Sequence, residues 1–206
     1  MKRKITILTI AFLSSVLMCA NAFAAATGRC GDSITWTLDD SGNLTLSGSG
    51  EMWNNGYDDS PFKDYEIRKA TVKYGITSIG ESAFLGCRGM TELTLPNSVT
   101  SIGDCAFYGC SGLTELTLPD SVASIGDGAF ICCSDLSKIT SLAEIPPMCG
   151  SGVFDRVNKT NCELIVPIVS VTAYKQAEVW NEFSNISGFS GVEVTVAGKT
   201  RKIVVE

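Results

Sequence analysis

Four acidic residues in the first third of the chain have the types and spacing that a glycan-cleaving enzyme needs. Asp58 and Asp59 are adjacent, and Asp64 and Glu66 follow within the same short segment. A pair of carboxyl groups can supply the acid and the base or nucleophile of glycoside hydrolysis. The segment also contains proline and glycine, and this composition predicts a solvated loop rather than an active site.

Histidine is absent from the sequence, and its absence limits the available chemistry further. Histidine is the usual general base, the usual partner of a nucleophilic serine or cysteine, and the commonest metal ligand. Residues 39–43 weakly match a cation-binding loop but lack a downstream carboxylate at the required spacing. We interpret them as a hairpin turn between residues 36–38 and 44–46. The sequence therefore predicts no catalytic residues, no bound metal and no cofactor.

The nine cysteines fall into two groups. Cys87, Cys110 and Cys133 recur every 23 residues, and we interpret them as a ladder of small buried thiols. Because neighbouring strands lie about 4.8 Å apart, a disulfide within the ladder is the alternative. Outside the ladder, we predict a disulfide between Cys149 and Cys162. The absence of a Cys-x-x-Cys pair argues against a zinc site.

The first residues have the composition of a secretory signal peptide. A basic start precedes an apolar run from Ile5 to Cys19, and Ala22-Phe23-Ala24 matches an Ala-x-Ala cleavage site. Such signals need an apolar run of about 7–15 residues, whereas a membrane-spanning helix needs about 20. We assign residues 1–24 to the signal and expect a secreted or cell-surface bacterial protein with no transmembrane segment after cleavage. An uncleaved anchor and lipid attachment through Cys19 are the alternatives.

A repeat of 23 residues is the strongest pattern in the sequence. The pair Ala-Phe recurs at Phe84, Phe107 and Phe130, and Ile-Gly pairs and the ladder cysteines recur in the same register. Residues 93–96 and 116–119 both read Leu-Thr-Leu-Pro. A period of about 20–29 residues with leucines at alternate positions is typical of leucine-rich solenoids, in which each repeat forms one coil.

One such coil cannot fold alone, because burying its apolar side chains stabilises it by less than the entropy cost of ordering its backbone. Stacked coils cover each other's apolar faces and pair their strands. We therefore predict a β-rich solenoid, a right-handed stack of four to five coils. Phe84, Phe107 and Phe130 are expected to fill one shared interior.

Residues 99–119 closely resemble the repeat of the BspA-like leucine-rich repeat family. Residues 31–46 are similar to the N-terminal hairpin cap of that family, and residues 164–180 resemble its closing repeat. We accordingly divide the chain into an N-terminal cap over residues 25–66, repeats over 67–167, and a C-terminal cap of helix or hairpin over 168–206.

The repeat pattern is irregular between Ser141 and Asn161, where Phe154 is expected to keep the position of the repeat phenylalanine. Residues 191–206 alternate valine and isoleucine with other residues around Ala197-Gly198. This alternation predicts a hairpin that covers the open end of the stack.

Two rows of outward-facing residues on the main sheet form the first candidate binding site. Alternation along a strand points every second side chain outward, and these positions align from coil to coil. A solenoid presents such rows as a docking surface, although threonine ladders and surface charges also serve stability and solubility alone. The rows are Lys69, Glu92, Glu115 and Lys138, and Thr71, Thr94, Thr117 and Thr140.

The N-terminal cap loop is the second candidate binding site. Trp53, Tyr57 and Phe62 are interspersed there with asparagine and aspartate. This composition suits a protein or a glycan ligand. The alternative is that the three aromatic side chains only cover the first coil.

The charge of the chain excludes one class of partner. With 16 basic against 22 acidic residues and a net charge of -6, the chain repels a phosphate backbone, so nucleic acid is not expected as a partner. The resemblance to BspA-like proteins implies adhesion to a host or bacterial surface macromolecule. We therefore expect an exported, non-enzymatic module that binds a protein or a glycan. A structural spacer without a ligand and a glycan-binding or glycan-active protein that uses the cap loop remain the other classes.

Overall fold

The computed structural model describes residues 24–56, 59–190, 193–196 and 199–202, and most of these residues form strands or tight turns. An α-helix, α1 (Val171–Gln176), and the 3-10 turns Ile168–Ser170 and Trp180–Glu182 lie toward the C-terminal end of this part. In chain order, the strands of the described residues are β1 (Ala24–Gly31), β2 (Ile34–Asp39), β3 (Asn43–Gly48), β4 (Gly50–Glu51), β5 (Lys69–Val72), β6 (Ile76–Ile79), β7 (Glu92–Thr94), β8 (Ser101–Ile102), β9 (Glu115–Leu118), β10 (Ser124–Ile125), β11 (Lys138–Ser141), β12 (Met148–Cys149), β13 (Glu163–Pro167), β14 (Asn185–Phe189), β15 (Glu193–Val196) and β16 (Lys199–Lys202).

The described chain opens with an antiparallel cap of β1, β2 and β3. The predicted turn between β2 and β3 is present. The carboxylate of Asp39 accepts hydrogen bonds from the backbone N–H groups of Ser41 and Asn43, both at 2.9 Å. Gly42 completes the turn with a φ of 83°, a conformation that glycine adopts without steric cost. The predicted signal, apart from Ala24, lies outside the described residues.

Two parallel sheets then grow coil by coil. In the main sheet β3, β5 and β7 pair in parallel, as do β9, β11, β13 and β14, and the second sheet has the order β4, β6, β8, β10 and β12. Within the described residues six coils form this stack, and in the sixth α1 takes the place of the second strand. The predicted β-rich solenoid is confirmed.

The stack has slightly more coils than the four to five predicted, because a coil already forms within the predicted N-terminal cap. Leu44 and Leu46 of β3 pair with Ala70 and Val72 of β5 in the same register that the later coils use. This coil lacks the Ile-Gly and cysteine motifs of the repeat, which is why the period did not identify it. Its second half passes through an irregular loop before it reaches Phe62.

An aromatic spine fills the interior. The rings of Phe84, Phe107, Phe130 and Phe154 stack nearly parallel, with centroid distances of 5.0, 5.2 and 5.6 Å between successive pairs. All four side chains are fully buried, and Phe62 continues the spine at 5.0 Å from Phe84. The predicted shared interior of Phe84, Phe107 and Phe130 is therefore confirmed, and Phe154 keeps the repeat position despite the irregular segment before it.

The turns that carry these phenylalanines form a third hydrogen-bonded side of the stack. The N–H of Phe84 donates to the carbonyl of Ala106 at 2.7 Å, and that of Phe107 donates to Ala129 at 2.8 Å. The same bond recurs from Phe130 to Val153 at 2.9 Å. The second to fifth coils are thus fixed to one another along the second sheet and along these turns, and this satisfies backbone groups that the turns would otherwise leave buried and unpaired.

The C-terminal end of the stack is closed by aromatic residues from α1 and the turn after it. The hydroxyl of Tyr174 donates to the carbonyl of Ala143 at 3.0 Å and is hydrogen-bonded to Ser141 Oγ at 2.7 Å. Trp180 Nε1 donates to the carbonyl of Pro147 at 2.9 Å. These bonds hold the irregular segment of residues 143–147 against the closing helix.

The strands β15 and β16 form an antiparallel hairpin, as the alternating valines predicted. The edge beside β13 is covered by β14, which pairs with it in parallel over five residue pairs. Among the described strands β15 and β16 pair with each other and not with the stack, so β14 and not the predicted hairpin covers this edge. Residues 191–192, 197–198 and 203–206 of the predicted hairpin lie outside the described residues. In the part of the chain that the structure describes, no helix has the length and apolarity to cross a membrane.

Candidate binding face

The outer face of the main sheet brings the predicted charged row together as two ion pairs. Lys69 Nζ lies 2.6 Å from Glu92 Oε2, and Lys138 Nζ lies 3.6 Å from Glu115 Oε2. All four side chains are substantially exposed, so solvent screens both pairs and each contributes about 0–1 kcal/mol of stability. The predicted charged row is present on this face, but its lysines and glutamates form ion pairs with one another.

A seam crosses this face between β7 and β9. Among the described residues, β-ladders join β5 to β7 and β9 to β11, but none joins β7 to β9. Glu92 and Glu115 are the like-charged neighbours at the seam, and like charges side by side on a sheet repel each other. Each glutamate instead binds the lysine on its other side.

The threonine row is longer than the sequence pattern predicted. Thr71 pairs with Thr94, and across the seam Thr117 pairs with Thr140. The row also extends into the cap, because Thr45 pairs with Thr71, Thr37 with Thr45, and Thr27 with Thr37. Residues 44–46 read Leu-Thr-Leu like the later strands, and this was the signal by which the extension could have been found.

This arrangement presents uncharged hydroxyl groups on strands that lie about 4.8 Å apart. Each hydroxyl can donate one hydrogen bond and accept others, so the row repeats the same polar group from strand to strand on both sides of the seam. The row ends at Ile165, the partner of Thr140 in β13. Its extent therefore covers the cap hairpin and five successive main-sheet strands.

The aromatic residues predicted as a binding site in the cap loop differ in their exposure. Trp53 is 44% exposed, and its Nε1 donates to Asp32 Oδ1 at 2.9 Å, so its ring is available at the surface in a fixed orientation. Phe62 is fully buried in the aromatic spine and cannot contact a ligand, which corrects its assignment as a binding residue. It lies in the coil before that of Phe84 and packs on the Phe84 ring, which explains the burial. Tyr57 lies outside the described residues.

The acidic residues considered for catalysis do not form a buried pair in the described part of the chain. Asp59, Asp64 and Glu66 are solvent-exposed, and Asp58 lies outside the described residues. Asp39 of the hairpin turn has a lowered pKa, chiefly because the Asn43 side chain donates a hydrogen bond to its carboxylate. That carboxylate therefore serves the turn.

The cysteine ladder is buried, and its sulfur atoms form no disulfide bonds. Cys87, Cys110 and Cys133 are free thiols, and the thiols of Cys110 and Cys133 donate to the carbonyls of Phe84 and Phe107, both at 3.3 Å. Burial raises the pKa of Cys87 and of Cys133 to about 12 and that of Cys110 well above its ordinary value. These thiols are consequently neutral and packed as apolar groups, as the ladder interpretation predicted.

The predicted disulfide between Cys149 and Cys162 is not formed. Both residues are free thiols, Cys149 in β12 of the second sheet and Cys162 directly before β13 of the main sheet. The prediction assumed that the irregular segment needs a covalent link. Tyr174 and Trp180 hold that segment by hydrogen bonds instead.

Comparison with known proteins supports the fold. The chain is similar to a leucine-rich repeat protein from Eubacterium ventriosum, with 24% identity and a TM-score of 0.51, over 71% of this chain and 45% of that protein. It is also similar to the T. pallidum leucine-rich repeat protein, with 14% identity and a TM-score of 0.52, over 79% of this chain and 83% of that one. At these identities the likeness shows the fold alone. No curated protein has significant sequence similarity to the chain.

A family model supplies the stronger result. The model of the BspA type leucine-rich repeat region matches residues 57–174 in six copies, which is more than half of the chain. The matched span contains the second to fifth coils and the start of the sixth, the aromatic spine from Phe84 to Phe154 and most of the threonine row. The protein belongs to the BspA-type leucine-rich repeat family.

Proposed function

We propose that the protein is an exported, non-catalytic binding module that docks a surface macromolecule of a host or of a bacterium on the outer face of its main sheet. The observation that supports this most directly is the threonine row from Thr27 to Thr140. A regular row of hydroxyl groups on a stack of strands suits an extended partner, because the partner can make the same contact several times.

The charged row has a secondary part in this proposal. Its lysines and glutamates already pair with each other, so a partner would have to break an ion pair before it could use either charge. Charged rims of this kind affect the association rate and the choice of partner more than they affect affinity. A partner can contact the threonines without breaking an ion pair.

Export is the part of the proposal that rests on the N-terminal composition, in which a basic start, an apolar run and Ala22-Phe23-Ala24 occur in the order of a secretory signal. The chain spans 45% of the length of the Eubacterium protein. The partner proposed for this chain therefore rests on the surface of this chain and not on that relative.

Capture on two immobilised preparations, basement-membrane proteins and a bacterial envelope fraction, tests the proposal. Thr94→Arg and Thr117→Arg each place a bulky cation in the middle of the row and should reduce capture at least about tenfold, the equivalent of 1.4 kcal/mol. Thr100→Arg, at an exposed position beside the second sheet, is the matched control and should leave capture unchanged.

Two results would contradict the proposal. If neither preparation captures the protein, the structural-spacer interpretation replaces it. If Thr100→Arg reduces capture as much as Thr94→Arg does, the main-sheet face is not the docking surface. Circular dichroism of each variant shows whether the solenoid is intact.

A further inference from the structure

A cavity of about 570 Å³ opens beside the N-terminal ends of β5 and β7. Tyr65, Glu66, Arg68, Arg88 and Thr91 contribute to its lining, and we call it the arginine cleft. Its volume falls within the range of about 300–1,000 Å³ that is usual for small-molecule sites. We propose that the arginine cleft binds a sugar residue that carries a single carboxylate.

The two arginines of the cleft depart from the repeat. In the coils that follow directly, the corresponding positions hold small hydroxyl residues, which are Thr91, Thr114 and Ser137 for Arg68, and Ser111 and Ser134 for Arg88. The sixth coil differs, with Cys162 in register with Ser137. The small hydroxyl residues suffice for stacking, since Thr91 Oγ1 and Ser137 Oγ each donate to a carbonyl of the preceding coil at 3.2 Å. Two long cationic side chains are therefore not required by the solenoid, yet they occur together at this cavity.

Both guanidinium groups are available to a ligand. Arg68 and Arg88 are exposed and form no ion pair with any residue in the described ranges, although the chain as a whole carries a net charge of -6. A guanidinium group presents its N–H donors in a planar fork that matches the two oxygens of a carboxylate. The cleft is thus a locally cationic site on an acidic protein.

Tyr65 gives the cleft an aromatic wall in a fixed orientation. Its ring meets the buried ring of Trp36 edge to face, with centroids 5.3 Å apart, and 38% of the residue remains exposed. An aromatic ring of this kind is apolar on its face and polar at its hydroxyl. It suits a sugar ring, which has an apolar C–H face and hydroxyl groups at its edge.

Glu66 favours an acidic sugar over other anions as the ligand of the cleft. Its carboxylate shares the lining with the two arginines, which leaves one positive charge in excess among the charged lining residues. A carboxylate accepts hydrogen bonds from sugar hydroxyl groups but repels a second negative charge. One carboxylate together with hydroxyl groups therefore fits this lining better than a polyanion or an acidic peptide, which brings negative charge without hydroxyl donors.

Isothermal titration of the protein with sodium glucuronate tests the proposal, with glucose, sodium phosphate and a tetraglutamate peptide as comparison ligands. Glucuronate should bind, and glucose should bind at least about tenfold more weakly because it offers the arginines no carboxylate. Arg68→Thr and Arg88→Ser introduce the residues of other coils, and each should weaken glucuronate binding about 10- to 100-fold, as expected for the loss of a charged hydrogen bond.

Lys73→Ser is the matched control, because it removes one exposed cation at the opposite end of β5 and should leave glucuronate binding unchanged. Equal binding of phosphate would reduce the cleft to a general anion site and overturn the proposal, as would tighter binding of the peptide or no binding of glucuronate. An unchanged affinity in Arg68→Thr would also overturn it. The cleft does not involve Thr94 or Thr117, so capture through the main-sheet face and glucuronate binding can fail independently.

Discussion

The aromatic spine follows the sequence repeat, whereas the arginine cleft departs from it. In the spine each of the first five coils supplies a phenylalanine, and the ring distances vary only from 5.0 to 5.6 Å between Phe62 and Phe154. In the cleft Arg68 and Arg88 stand where the coils that follow directly have small hydroxyl residues. Positions that have the same residue type in successive coils therefore stabilise the stack. Positions at which one coil has a different residue type are where a specific ligand should be sought.

The largest effect is expected in the spine. Phe107→Ala removes a fully buried ring that stacks on Phe84 and Phe130 and should lower the free energy of unfolding by about 3–5 kcal/mol. Urea denaturation followed by circular dichroism measures the loss. Tyr74→Ala is the control, because Tyr74 is 72% exposed and its removal should cost little. A loss below 1 kcal/mol for Phe107→Ala would mean that the spine does not carry the stability of the stack.

An intermediate effect is expected from the cysteine ladder, which also keeps the period. Burial raises the pKa of Cys87 and of Cys133 from 9.0 to about 12, so at high pH the unfolded chain releases thiol protons that the folded chain retains. Stability should therefore be constant with respect to these groups below pH 9 and should fall between pH 9 and pH 12, by roughly 1 kcal/mol per thiol for each pH unit.

Urea denaturation in reducing buffer at several pH values measures this dependence. Cys87→Ala should show a shallower decline of stability above pH 9 than the wild-type protein does, because one of the titrating thiols is gone. The exposed residues that titrate in the same range are common to both proteins and cancel in the comparison. An identical pH dependence for the two proteins would show that Cys87 is not shielded from water.

The smallest effect on stability is expected in the cleft. Arg68→Thr and Arg88→Ser should change the free energy of unfolding by no more than about 0.5 kcal/mol, since both positions are exposed and unpaired in the described residues. The same denaturation assay applies. A loss of 2 kcal/mol or more would place the arginines with the spine as structural residues and would remove the contrast between the two regions.

The sequence predicted the periodic part of the molecule well because the period itself is the physical constraint. Phe84, Phe107 and Phe130 share one interior and Cys87 lies in a buried ladder, since a coil can stack only if each position meets its equivalent in the next coil. The outward row that includes Thr94 follows from the same register.

The errors occurred where contacts between distant segments replace the period. Phe62 was assigned to a surface loop because its coil lacks the other repeat motifs, and only its contact with Phe84 shows that it belongs to the spine. The proposed link between Cys149 and Cys162 missed the hydrogen bonds of Tyr174. The arginine cleft was also missed, because no single segment shows that Tyr65 and Arg88 line one cavity.

The seam between β7 and β9 divides the outer face into two separately hydrogen-bonded segments. Across it the main sheet lacks the ladder that joins its other strands, whereas the second sheet and the turns remain bonded, as in the pairing of β8 with β10. The two halves of the solenoid are therefore joined by hydrogen bonds through the second sheet and the turns. A partner that spans the whole row would meet its hydroxyl groups on two bonded segments, not on one continuous ladder.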